Sequence, residues 1–416
     1  MAEGKHVPED IVVDILSRLP VKSLIRFRRV SKRWRSIVSD PQFAKLQFQN
    51  TTQGRRRLVY LLDDSNIETL DLEPPSRWWA SIRKLTCPFE HEDQKRHRVM
   101  VVGSCNGLVC LSTRICSLAS MTSIYIWNPS TGFSLKLPDP GFPDYINRMS
   151  MYCGFGYLPA TGDYKALVAA YNDDQWGTLQ VRVFSTRAGI WKQIESPFRP
   201  SSYPVRKYIT DDAATVLGVT FHWIIDYFSQ RSVIHAFDLV KEEFREMNGF
   251  HLLQTLDCFG GCLYGFCKGL YDSSLCIELW VMREYWVSDS WTKLYRIVLS
   301  DQVDPGMLVY PYLATETSTV VAQITPEHKK MEIVRIEHEE DDPLVTDRLR
   351  RRYHMPSMIV YEESLLRIPD NHAVMKEYKV KKPTDAPANK QKSKEIICLA
   401  LFNYFLLNIL ISSFSL

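Results

Sequence analysis

Four strand–turn–strand units recur through the middle of the chain, each with a large aromatic residue at or near the end of its first strand. They are Ile124–Trp127 running through Asn128-Pro129-Ser130-Thr131-Gly132 into Leu137-Pro138, Val181–Ser185 running into Trp191, Ile234–Leu239 running into Phe244, and Ile277–Val281 running into Trp291. The landmarks Trp127, Phe184, Phe237 and Trp280 stand 57, 53 and 43 residues apart, close to the roughly 40–50 residues of a propeller blade. Another extended run precedes each unit: Gly107–Leu111, Lys165–Val168, Thr220–Ile224 and Cys262–Phe266. Two further sets, near Leu58–Leu72 and Val309–Ile336, are expected to form flanking blades. Met358–Tyr361, followed by Ser364–Ile368, is expected to return and close the ring. Closure is favoured physically because it removes exposed strand edges.

The head of the chain has a different period. Pro8, Glu9 and Asp10 make a good helix start, with Pro in the first turn and carboxylates near the positive end of the dipole. Ile11, Val12, Ile15, Leu16 and Leu19 then share one broad helical face. Pro20 stops that helix and can open the next, where Val21, Leu24, Phe27 and Val30 follow at near-helical spacing. Ser31 is placed to cap a third segment carrying Trp34, Ile37 and Val38, which Asp40-Pro41 breaks. About a dozen apolar side chains on about 40 residues exceed what so small a module stabilises alone. Its apolar face is therefore expected to be completed by another protein, in preference to packing only on the domain that follows.

Val7-Pro8-Glu9-Asp10-Ile11, Ile15-Leu16-Ser17-Arg18-Leu19-Pro20, Ser23-Leu24-Ile25-Arg26-Phe27 and Val30-Ser31-Lys32-Arg33-Trp34 together resemble an F-box. Val7 stands where Leu is usual and Ser31 where Cys is frequent, and neither change removes an apolar anchor. The resemblance implies docking on the Skp adaptor of a Skp–cullin–F-box ubiquitin ligase. By carry-over, Pro8, Ile11, Ile15, Leu16, Leu19, Pro20, Leu24, Phe27, Val30 and Trp34 supply the adaptor-facing and internal apolar surface. The β-rich remainder resembles the F-box-associated, kelch-like domain of plant F-box proteins. Its carrying residues are Ser104–Cys110, Trp127–Gly132, Gly154–Tyr157, Asp163–Lys165 and Gly218–Trp223. It departs from true kelch repeats in lacking a Gly-Gly pair in each blade.

The expected fold is thus a small all-α F-box module over 1–48, a linker over 49–57, and an all-β, propeller-like F-box-associated domain over 58–370. A Lys- and Pro-containing linker over 371–395 and an apolar segment over 396–416 follow. The last 21 residues carry no charge and are long enough to span a bilayer as a helix. They read either as a tail anchor or as an atypical extension.

Other signals point away from chemistry. The 416 residues are 45% hydrophobic and 24% charged with a net charge of +3, an ordinary globular balance. Eight basic residues and no acidic ones lie between Arg18 and Arg35. A nucleic-acid-binding helix-turn-helix is nonetheless disfavoured, because Leu19-Pro20 stands where such motifs carry a Gly-centred turn. Ten cysteines without an apolar N-terminal run fit reduced thiols in the cytoplasm or nucleus. Cys258, Cys262, Cys267 and Cys276 lack zinc-ribbon spacing and read as core thiols. His91-Glu92-Asp93 with His97, and the acidic run from Glu337 to Asp342, read as solvated loops. No phosphate loop, nucleophile elbow or supported carboxylate pair is found, so no cofactor, metal or catalytic residue is assigned. The expected role is a non-catalytic substrate receptor that joins the adaptor, and through it a cullin, to an unidentified protein target. The alternative is a ligase-independent interaction scaffold, tethered to a membrane if 396–416 inserts.

Overall fold

The computed structural model describes residues 8–51, 56–61, 66–72, 81–86, 97–115, 121–142, 150–170, 179–197, 213–227, 231–250, 253–271, 274–298, 308–313, 319–325, 332–338, 343–350 and 358–368. Four short helices open the chain: α1 (Glu9–Ser17), α2 (Val21–Phe27), α3 (Lys32–Ser39) and α4 (Pro41–Asn50). Each boundary has a local cause. Pro8 and Pro20 stand just before α1 and α2, and the Pro20 carbonyl accepts from the Ser23 and Leu24 amides. The Ser31 hydroxyl accepts the Trp34 amide at 3.1 Å, which is the expected cap. Asp40 ends α3 and caps α4 through the Gln42 amide at 2.8 Å, with Pro41 in the first turn. The sequence reading takes Asp40-Pro41 as a break alone; it is equally a start.

Among the described residues, six four-stranded antiparallel sheets follow. Blade 1 is built from both ends of the domain: β1 (Arg56–Leu61), β2 (Ile67–Asp71) and β3 (Arg83–Leu85), with β24 (Met358–Glu362) as its innermost strand. Arg56 pairs with Glu362 and Tyr60 with Met358, so the ring is closed by strand pairing between residues about 300 positions apart. Blade 2 comprises β4 (His97–Cys105), β5 (Leu108–Ile115), β6 (Met121–Trp127) and β7 (Ser134–Lys136). Blade 3 comprises β8 (Ser150–Leu158), β9 (Asp163–Ala170), β10 (Gln180–Ser185) and β11 (Ile190–Ile194). Blade 4 comprises β12 (Thr215–Leu217), β13 (Thr220–Tyr227), β14 (Arg231–Asp238) and β15 (Glu243–Asn248). Blade 5 comprises β16 (Leu253–Phe259), β17 (Cys262–Tyr271), β18 (Ser274–Met282) and β19 (Trp291–Val298). Blade 6 comprises β20 (Leu308–Leu313), β21 (Thr319–Thr325), β22 (Glu332–His338) and β23 (Pro343–Arg350).

The core lies between blades rather than at the middle of the ring. Blades 1 and 2 enclose Val59, Val101, Val109, Trp127 and Tyr361, whereas blades 2 and 3 enclose Leu108, Ile126, Phe155, Val168 and Phe184. Phe221, Trp223 and Phe237 of blade 4 pack on Tyr152, Leu167 and Val183 of blade 3. Gly154 of β8 makes this fit possible, since a Cβ there would stand 2.7 Å from the Phe221 ring. The landmark aromatics then find cross-strand partners: Phe184 faces Trp191 with ring centroids 5.1 Å apart, and Phe237 faces Phe244 at 4.7 Å. In blade 5 a register shift between Leu279 and Trp280 changes the pattern, and Phe250 bridges Trp280 and Trp291 instead.

Strand direction divides the ring into two faces. The connections 106–107, 128–133, 159–162, 186–189, 218–219, 239–242 and 260–261 fall on one face. Asn106 and Gly107 both have positive φ, as do Gly260 and Gly261, which suits two-residue hairpin turns. Because β1 begins where β24 ends, the head enters the ring on this short-turn face.

Candidate protein-docking surface

The helical head sorts the ten expected docking residues by exposure. Leu16 and Leu24 are fully buried, in a cluster with Val21, Val38, Phe43 and Ala44. Pro8, Ile11 and Pro20 are exposed, Ile11 to 47%. Ile15, Leu19, Phe27, Val30 and Trp34 are half-buried. Phe27 meets Trp34 edge-to-face at 5.2 Å, joining the end of α2 to α3. Leu16 and Leu24 thus belong to the internal apolar surface, and the other eight remain reachable from outside. Arg18 reaches Asp14 of its own helix at 3.0 Å and Arg33 reaches Glu9 at 3.5 Å, so part of the basic face is matched internally.

Two further members of the head's cluster come from the far end of the domain: Leu365 and Leu366. Ser364–Ile368, read in the sequence as part of ring closure, is not a strand. The strand ends at Glu362, and residues 363–368 cross the short-turn face beneath the helices as a strap. Blades 1 and 2 hold it. Arg57, read in the sequence as the end of a polar linker, is fully buried in β1 and bonds the Thr69 hydroxyl at 3.1 Å, the Ser81 carbonyl at 3.0 Å and Asp71 at 3.4 Å. Its Nε also lies 3.8 Å from Glu363, which Arg83 approaches at 3.7 Å. From blade 2, Asn128 Nδ2 donates to the carbonyls of Ser364 at 3.1 Å and Leu366 at 2.8 Å. Its Oδ1 accepts the Ser130 and Thr131 amides at 2.8 and 3.1 Å. The Ser364 hydroxyl donates to the Asn106 carbonyl at 3.1 Å. Nothing in the apolar pattern singles out Asn128; the only signal is its place in the Trp127–Gly132 motif.

Elsewhere the buried polar groups tie blades together. Tyr152 Oη lies 2.9 Å from His235 Nδ1 across blades 3 and 4. Burial pushes the His235 imidazole down to about 4, even though half-exposed Glu246 lies 3.2 Å from its Nε2. His222 sits 3.0 Å from Tyr285 Oη, and burial likewise pushes it down to about 4. Lys165 and Lys192 both reach Glu242, linking blade 3 to blade 4. Cys267 and Cys276 are buried and Cys258 and Cys262 half-buried; burial pushes the Cys258 and Cys267 thiols up to about 12.

Four helices on a ring whose first blade borrows its inner strand from the C-terminal side match the family comparisons. The model for the F-box-associated beta propeller domain matches residues 63–358, and that for the F-box domain matches residues 6–46. The chain belongs to the F-box proteins with an F-box-associated propeller. Among curated relatives, an F-box/kelch-repeat protein of Arabidopsis thaliana is 28% identical over 321 residues, covering 73% of this chain and 83% of the relative. F-box protein CPR1 of the same plant is 28% identical over 367 residues, covering 79% and 84%. TolB from Acinetobacter baumannii, a solved structure, gives a TM-score of 0.45 at 10% identity over 77% of this chain and 72% of that one, too weak a likeness to carry an argument.

In this F-box protein His91-Glu92-Asp93, most of the acidic run up to Asp342 and the apolar segment 396–416 lie outside the described residues. His97 opens β4, and Glu337 and His338 end β22. Among the described residues no helix is long and apolar enough to cross a membrane.

Proposed function

We propose that this chain is a substrate receptor of a Skp–cullin–F-box ubiquitin ligase, with the helical head docking on the Skp adaptor and the propeller holding a protein target. The observation that supports it most is the pairing of an F-box match with apolar residues left open on α1, α2 and α3. A head that keeps Pro8, Ile11 and Pro20 exposed has surface to offer an apolar partner. The chain's own task is tethering, which raises the effective concentration of a target near the ligase. Target capture is assigned to the propeller, because recognition usually rests on the segments that connect the strands of such a scaffold.

Pull-down of the adaptor by the full chain tests the reading. Ile11→Asp places a charge on the open surface without entering the core, and it is expected to reduce adaptor retention more than tenfold at unchanged thermal stability. Pro20→Ala is expected to act in the same direction and more weakly. Wild-type retention in both variants would refute adaptor docking through this face.

A further inference from the structure

Two motifs and the strap after β24 meet at one place beneath the head, and the F-box assignment does not account for it. Asn106-Gly107 from the β4–β5 turn and Asn128 from the β6–β7 turn both close on residues 362–366. At Gly107, where φ is +74°, a Cβ would stand 2.3 Å from the Ser364 hydroxyl and 2.5 Å from the Glu362 carbonyl, so a side chain there would push the strap out. Asn128 is fully buried and uses both donors and its acceptor oxygen, two bonds on the strap and two on its own turn. Beyond these anchors, Leu365 and Leu366 enter the helical cluster, each less than one-tenth exposed.

We infer that residues 363–366 are a latch by which blades 1 and 2 hold the helical head, so that the F-box completes its fold only on a closed ring. The helices have seven to ten residues each, below the roughly 12–15 at which an isolated helix becomes even marginal in water. Their own buried apolar residues are six, and the latch supplies the remaining two members of the buried cluster. Those two arrive directly after β24, whose pairing with β1 closes blade 1. The head is therefore made well before the residues that complete it. A propeller that has not closed presents an incomplete docking module.

Hydrogen exchange of backbone amides in the full chain, read by mass spectrometry, tests the latch independently of any partner. In the double variant Leu365→Ser, Leu366→Ser, exchange in α1, α2 and α4 is expected to accelerate at least tenfold while β5, β9 and β13 keep wild-type protection. Asn128→Asp, which removes two donors and sets a carboxylate against two carbonyls, is expected to accelerate exchange in the helices and in 364–366 together. Unchanged helix protection in the double variant would overturn the latch. So would an equal loss of protection in blades 3 and 4, which would make the strap a general part of the ring core. The consequence at the adaptor rests on the proposed function, and adaptor retention is expected to fall in step with helix protection. A wild-type chain with protected helices that retains no adaptor would refute that function and leave the latch standing.

Discussion

The helical head and the β ring bury apolar surface in opposite ways. In the ring, blades 1 to 5 meet face to face in succession, and Trp127, Phe155, Phe184, Phe221 and Phe237 are all essentially removed from solvent. In the head, four helices share one small cluster, and Phe27, Trp34, Leu19 and Ile15 stay half-open. Stacking makes the ring's stability a sum of neighbouring interfaces, so no single sheet need be stable by itself. A bundle of two-to-three-turn helices has no such reserve, because its surface is large for its volume. The difference shows why the head takes two leucines from the ring and still leaves an apolar face uncovered.

The sharpest way to break this contrast is to truncate one large side chain in each region. Phe221→Ala empties the space against Gly154, Gly156 and Leu239, and it is expected to cost about 4 kcal/mol in urea denaturation of the ring. Leu24→Ala is expected to cost about 3 kcal/mol, read as lost exchange protection confined to the helices. If Leu24→Ala destabilised the blades as much as the helices, the head would be part of the ring rather than a guest on it.

A somewhat smaller effect separates the regions by pH. His222 and His235, both in blade 4, are held neutral by burial at about 4 in the folded ring, whereas an unfolded imidazole titrates near 6.5. Between these values the unfolded chain binds more protons, so stability falls as pH falls. The full contribution is present above about pH 6.5 and is lost progressively toward pH 4. Circular dichroism melts of wild type across that window should show a declining midpoint, and His222→Gln with His235→Gln should flatten the decline. A slope that survives both substitutions would assign the acid sensitivity elsewhere.

The smallest expected effect lies in the head. Ser31→Ala removes the hydroxyl that accepts the Trp34 amide, and about 1 kcal/mol should be lost from α3. Exchange at the Trp34 amide reports it directly, and an unchanged rate would mean that the third segment does not depend on its cap.

Much of the architecture could be read before any coordinates. The paired runs around Trp127, Phe184, Phe237 and Trp280 are the second and third strands of blades 2 to 5, because alternation and aromatic content mark buried strands strongly. The inner strands carry a weaker signal, and so does the outer strand of blade 2. β12 has three residues and β7 has three, too few for a period to show. Arg57 misleads because a cation next to Arg55 and Arg56 looks like a solvated run, whereas burial is tolerated once Asp71, Thr69 and Ser81 surround it. Leu16 shares an apolar face of α1 with Ile11 and Ile15, and Leu24 one of α2 with Val21 and Phe27, and spacing alone cannot say which of them turn inward. Ser364–Ile368 has the apolar content of a strand, but the described pairing of β24 with β1 ends at Arg56 and Glu362, and 363–368 turn to the helices instead.

By itself the sequence determined that short helices with Pro and Ser boundaries precede a series of blade-length β units, because capping, proline geometry and side-chain periodicity act over a few residues. It also determined the likeness of the head to an F-box, carried by landmarks within thirty residues of one another. Only the tertiary structure decided that the described residues form six sheets, that the first is shared between the two ends of the domain, and that Asn128 and Gly107 clamp a strap carrying Leu365 and Leu366 into the head. These contacts join residues more than two hundred positions apart, and they form only when loop-closure entropy has been overcome by all the blade interfaces together. No local pattern encodes such a meeting.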